Sequence, residues 1–133
     1  MSTPESAPLS RPQLRAVARL FAVLSEPSRL ALLQTLQAGP RSVGDLVGRT
    51  GMKQANVSKH LAVLHQHRLV ERERQGSTVL YSISDPMIFP LCGLVCGKIE
   101  RDAAAAAALF RTPTPPRRTR TPAPRTRRPS RRP

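Results

Sequence analysis

Between Ser42 and Ser84 the spacing of apolar residues changes once, from helical to alternating, and that single change leaves few folds open to the chain. A short helix is predicted to open at Ser42, with Asp45 three residues on in a capping-box arrangement, and to bury Val43, Leu46 and Val47 before Gly51 ends it. Residues 53 to 66 then place Val57, Leu61 and Leu64 on one stripe, with Ala55, Ser58, Lys59 and Ala62 on the opposite, small and polar face. Past Leu69-Val70 the period becomes two, Val79, Tyr81 and Ile83 alternating with Leu80, Ser82 and Ser84. Gly76-Ser77 interrupts that run, so strands at about 70 to 75 and 78 to 84 form a hairpin with Arg72, Arg74 and Gln75 near its tip. Two short helices around the turn Thr50-Gly51-Met52, followed by a hairpin, describe a helix-turn-helix with a wing.

Helices are expected on both sides of this unit. Leu14, Val17, Phe21 and Leu24 recur at helical spacing up to Ser25, which reads as the N-cap of a second helix with Glu26 and Pro27 in its first turn. That second helix carries Leu30, Leu33 and Leu36 inward and stops at Gly39-Pro40. Asp85-Pro86 starts a final helix running to about Leu109, kinked in its first turn by Pro90, with Ile88, Leu91, Cys92, Val95 and Ile99 on one stripe. The expected fold is therefore mainly α with a small β-hairpin, four helices, two strands and a fifth helix, over residues 11 to 110. About 100 residues with short helices make a marginal core, and the last helix has an apolar stripe with no partner left in the same chain, so a homodimer through the terminal helices is expected.

Charge divides the chain further. Lys and Arg number 22 against 8 Asp and Glu, and residues 111 to 133 hold nine of the arginines with seven prolines and no acid. Such a tail repels itself and has little apolar surface to bury, so 111 to 133 and, more briefly, 1 to 10 are expected to be disordered. The excess positive charge points to a polyanion, and aromatic residues at 3% argue against single-strand binding on stacked rings. Double-stranded DNA is the favoured partner. No apolar run approaches the length of a membrane span and no signal-peptide core is present, so the chain is expected to be cytoplasmic, with no membrane partner and with Cys92 and Cys96 reduced.

With Val57, Leu61 and Leu64 facing inward, Gln54, Ala55, Ser58 and Lys59 occupy the exposed N-terminal half of the second helix of the motif, the half that enters a major groove. Gln can pair with adenine N6/N7, Ala can touch a thymine methyl, and Ser and Lys can reach base edges or phosphates, at about 1 to 3 kcal/mol of discrimination per good base contact. Arg72 and Arg74 would reach flanking phosphates or the minor groove.

The segment SVGDLVGRTGMKQANVSKHLAVLHQHRLVERERQGSTVLYSIS (42 to 84), preceded by LSEPSRLALLQTL (24 to 36), resembles the DNA-binding core of the ArsR/SmtB family of winged-helix repressors over roughly residues 14 to 100. The resemblance implies a homodimer, base contacts from Gln54, Ala55, Ser58, Lys59 and His60, and repression lifted when a ligand binds; a two-fold dimer would read an inverted repeat with half-sites about one helical turn apart. Lys53 departs from the family, in which a Ser or Thr cap is usual, and a Lys side chain cannot accept the orphan amides of the helix start.

Cys92 and Cys96 are four residues apart on one helical face, within reach of a shared soft ion. The resemblance implies metal sites on the third helix (cysteines) or the last helix (His and Asp), yet residues 42 to 49 lack Cys and the last helix lacks His. The remaining CxxxC pair suits arsenite, antimonite or cadmium as inducer, with no obligatory cofactor; a redox or reactive-sulfur switch uses the same thiols. Packing as small buried hydrophobes is the plainer role. His60 and His67 lie roughly 10 Å apart along the helix and form no metal pair; His60 reads as a backbone or phosphate contact, with helix packing as the alternative. A non-specific architectural DNA-binding protein is the rival class. An enzyme is disfavoured, since no phosphate-cradling glycine loop or nucleophile elbow is present.

Overall fold

The computed structural model describes residues 7–111 and 122–124, so most of the arginine-rich tail and of the N-terminal end expected to be loose lies outside the described residues. Helices α1 (Arg11–Leu24), α2 (Pro27–Leu36), α3 (Val43–Thr50), α4 (Gln54–Gln66) and α5 (Ile88–Leu109) surround a three-stranded antiparallel sheet of β1 (Arg41–Ser42), β2 (Val70–Gln75) and β3 (Thr78–Ile83), in the order β1-β3-β2. The hairpin forms in the expected register, Val70 opposite Ile83 and Gln75 opposite Thr78. Gly76 takes up the left-handed turn at φ 62. The strand β1 is an addition: Arg41 pairs with Tyr81 and Ser42 with Leu80, which widens the expected hairpin into a small sheet tied to the start of α3.

Local chemistry explains the helix ends. Ser10 and Gln13 form a reciprocal capping box that starts α1 three residues before the apolar spacing does. Glu26 caps α2, its carboxylate accepting from the Arg29 amide at 2.9 Å, whereas Ser25 closes the end of α1. Assignment of the cap to Ser25 is corrected by one residue. Ser42 caps α3 as expected, but Asp45 turns away from a reciprocal box to Arg41 at 2.8 Å and Arg49 at 3.2 Å. Pro90 sits inside the first turn of α5, where the amide it lacks would have had no intrahelical partner. The acid expected to open that helix, Asp85, instead accepts from the Met87 amide two residues on.

The core is a single cluster of Val23, Leu24, Leu32, Leu33, Leu36, Leu46, Val57, Leu61, Leu64, Leu69, Val70 and Ile88. On α2, Leu32 is buried and Leu30 is exposed, the reverse of the expected order, because this helix is apolar on more than one side and its spacing does not single out an inner face. Leu14, Val17 and Phe21 on α1, and Val95 and Ile99 on α5, remain exposed, Phe21 at 56% and Ile99 at 61%. A stripe that periodicity marks as inward and a single chain leaves open is the mark of a face awaiting another surface.

Helix α4 ends in a Schellman turn built on an unusual residue. The Leu69 amide donates to Leu64 O and the Arg68 amide to His65 O, both at 3.0 Å, while Arg68 adopts φ 58. Leu69 is buried and Ser84 closes the turn, its hydroxyl donating to Arg68 O at 2.8 Å. A left-handed conformation costs a non-glycine residue about 1–2 kcal/mol. Arg68→Gly should therefore raise stability by about 0.5–1 kcal/mol, less than the full strain because glycine gains freedom in the unfolded chain. A higher thermal midpoint with unchanged secondary structure is the expected result.

The Asp45 carboxyl is held below the ordinary carboxylate range chiefly by its hydrogen bond from Arg41, with Arg49 adding to it. A carboxyl depressed in the folded state contributes stability above its unfolded value, and that contribution is lost as pH falls through the folded value. Thermal unfolding followed from neutral to acid pH should fall less steeply at the acid end in Asp45→Asn than in the native chain.

Candidate nucleic-acid interface and thiol groove

Val57, Leu61 and Leu64 are fully buried against α2 and α3, and this fixes the roll of α4 about its axis. Gln54, Ala55, Ser58 and Lys59 are consequently exposed, together on the N-terminal half of the helix. Lys53 supplies no side-chain cap, as its chemistry predicts. His60 is placed differently from its neighbours. Its side chain is 14% exposed and turned toward α2, with Nδ1 at 3.5 Å from Arg29 Nη1 and Nε2 at 3.8 Å from Glu26 Oε2. Of the two readings of His60, helix packing is the one its position favours; three residues beyond Val57, it falls toward the inner side of the helix.

The strand alternation sorts the wing's charges by face. Arg72 lies opposite Tyr81 and Arg74 opposite Val79, and these four with Val43 line a shallow hollow of about 450 Å³. Glu71 and Glu73 point to the other face, opposite Ser82 and Leu80.

These features are matched by known proteins. Residues 26–72 fit the family described as bacterial regulatory protein, arsR family. A probable mercury resistance operon repressor of Streptomyces lividans is 35% identical over 96 residues, 72% of this chain and 77% of the relative. The chain belongs to the ArsR/SmtB family of transcriptional repressors. Solved family folds superpose on it: the AntR antimony-specific transcriptional repressor, with a TM-score of 0.67 at 31% identity over 76% of this chain and 93% of that one, and a homodimeric winged helix-turn-helix DNA-binding domain from Mycobacterium bovis, with a TM-score of 0.62 at 30% identity over 72% and 91%. Family membership makes this chain a regulator and not an enzyme. Among the described residues no helix is long and apolar enough to cross a membrane.

The two cysteines stand at a second feature of this ArsR/SmtB-family chain. An open groove of about 750 Å³ runs between α1, α2 and α5, with Phe21, Leu24, Leu30, Leu91 and Val95 on its walls and both Cys92 and Cys96 at its α5 side. Cys92 is half-buried and Cys96 exposed, and neither is in a disulfide. Burial pushes the Cys92 thiol above its ordinary value, the neighbouring Cys96 adds to the rise, and the polar Gln37 side chain works the other way. Among the described residues no group of three or more His, Cys, Asp or Glu could hold a metal ion, so within one chain the pair offers two soft ligands. Gln37 and the groove walls from α1 and α2 were not legible as site residues, because nothing in their spacing connects them to α5.

Proposed function

We propose that this repressor binds an inverted-repeat operator as a homodimer, with Gln54, Ala55, Ser58 and Lys59 entering the major groove and Arg72 and Arg74 holding the flanking backbone. The observation that carries this reading is the roll of α4, which buries three aliphatic side chains and leaves those four exposed together. Two such helices related by a two-fold axis would meet half-sites about one helical turn apart. The exposed apolar stripes of α1 and α5 support pairing through the terminal helices, and the homodimeric relative from Mycobacterium bovis supports it independently.

Release is assigned to the CxxxC pair. A trivalent metalloid such as arsenite or antimonite, losing two hydroxides as water with the two thiol protons, or a soft divalent ion such as cadmium, releasing those protons, would bridge Cys92 and Cys96 in a groove shared by three helices. A relative described as a probable mercury resistance operon repressor and another described as an antimony-specific repressor support a soft ligand. The test uses an operator recovered by selection from random duplexes. Arsenite, antimonite or cadmium should weaken operator binding by the native protein and leave Cys92→Ser/Cys96→Ser unaffected, and cadmium capture, which releases the thiol protons, should strengthen with rising pH because the Cys92 thiol is held up. An oxidant or persulfide that releases the native protein where the soft ions do not would reassign the same thiols to redox sensing. Equal response of native and double-variant protein would leave the cysteines as packing residues.

A further inference from the structure

The corner between α1 and α2 has two working sides. Toward α5, Leu24, Ser25, Pro27 and Leu30 form one wall of the thiol groove. Toward α4, the same corner holds His60 through Glu26 and Arg29. Arg29 is the hinge pin. Its Nε donates to Val23 O at 2.6 Å and its Nη2 to Ala22 O at 3.4 Å, so it closes the carbonyl end of α1, while its Nη1 reaches His60 Nδ1 at 3.5 Å. Glu26 caps α2 through the Arg29 amide and faces His60 Nε2.

Both imidazole nitrogens face charged groups of the corner. A guanidinium has donors only, so Nδ1 presents its lone pair to Arg29 Nη1 at 3.5 Å, while Nε2 faces the Glu26 carboxylate at 3.8 Å. His60 is thereby held from both sides by groups that also set the ends of α1 and α2. It directly follows Lys59 and lies within two residues of Ser58. The linkage runs from the groove wall, through the corner of residues 24 to 30, to the exposed half of α4, and its joints are the Glu26 cap at 2.9 Å, the Arg29 bond to Val23 O at 2.6 Å and the longer polar contacts to His60 at 3.5 and 3.8 Å.

We propose that Glu26, Arg29 and His60 form the positioning device through which occupancy of the thiol groove reaches the recognition helix. This rests on the reading that the groove is the sensing site. A group inserted at Cys92 and Cys96 presses on Leu24, Ser25 and Pro27; the corner shifts, the Arg29 and Glu26 contacts to His60 change, and α4 loses the roll that presents Gln54 to Lys59. Coupling of this kind needs contiguous elements with alternative arrangements, and the corner supplies them across α1, α2 and α4.

The experiment uses full-length protein and phenylarsine oxide, which condenses with two thiols to a cyclic dithioarsenite with loss of one water and no change of oxidation state. Adduct formation is followed by mass, operator affinity is measured free and loaded, and the ratio of the two is the readout, because it divides out any loss of basal affinity. Hydrogen exchange of amides 54 to 60 is measured on the same samples. The native ratio should be at least tenfold. His60→Leu should form the adduct with equal stoichiometry but show less than a third of the native ratio and little change in exchange at 54 to 60. His60→Asn, whose side-chain oxygen stands near the place of Nδ1 and can accept from Arg29, should recover most of the ratio. A His60→Leu ratio equal to the native one overturns the proposal while leaving the sensing site intact. Adduct formation with no release in the native protein overturns the sensing reading and this linkage together. Should His60→Leu not fold, Glu26→Gln carries the same test: a reduced ratio supports the linkage and an unchanged one refutes it.

Discussion

Removal of residues 111 to 133 is expected to flatten the salt dependence of DNA binding far more than it changes the choice of sequence. Each phosphate neutralised by a basic side chain contributes about 0.9 to the slope of log affinity against log salt. The segment carries nine arginines and no acid, whereas residues 1 to 110 have a net charge of only +5. If the tail contacts even four phosphates, the slope should fall by between three and four units, with an affinity loss of one hundredfold or more at low salt. Competition between operator and random duplex separates two kinds of protein. A repressor keeps its preference after truncation, because the proposed base readout belongs to α4. An architectural DNA-binding protein loses nearly all binding, and that outcome would displace the repressor reading in favour of charge alone.

The second large effect concerns the stripe that fixes α4. Leu61 is fully buried between α2, α3 and α4, so Leu61→Ala removes apolar contact and leaves a cavity, at about 2–5 kcal/mol. Domains of this size have about 5–15 kcal/mol in all. Chemical denaturation should show the midpoint falling sharply, with operator binding lost as the population of folded protein declines. Gln54→Ala is the control on the other face: an exposed side chain whose loss should leave the denaturation midpoint nearly unchanged while reducing discrimination between operator and mismatched duplex by about 1–3 kcal/mol, roughly fivefold to 150-fold. A variant that loses both stability and specificity at position 54 would show that α4 is rolled differently about its axis.

Much of this was legible in the chain because the signals were local and periodic. The stripe Val57, Leu61, Leu64 states a face that is buried in the structure, and the alternation through Val79, Tyr81 and Ile83 states one side of the hairpin, shared with Arg74, Arg72 and Val70, although residues 79 to 83 are all half-buried. What escaped the sequence is what depends on neighbours. Strand β1 is two residues long and exists only because β3 offers an edge beside the start of α3. Leu32 replaces Leu30 in the core because the choice between two apolar faces of α2 is made by packing and not by spacing. The left-handed Arg68 sits where glycine would be expected, so no composition signal announces the turn. His60 shares its segment with four outward residues, and only the positions of Glu26 and Arg29 reveal that it faces the other way.

The strand β2 reads Glu-Arg-Glu-Arg from residue 71 to 74, and its pleat puts both cations on one broad side and both anions on the other. The wing is therefore a polarised blade. In the proposed complex a duplex resting on the arginine side would be attracted, and one that rolled over the edge would meet two carboxylates, so the blade would penalise rotation about the long axis of the DNA as well as departure from it. Exchanging the order to Arg-Glu-Arg-Glu would keep net charge, length and strand propensity constant yet invert that torque, turning a guide rail into a fender.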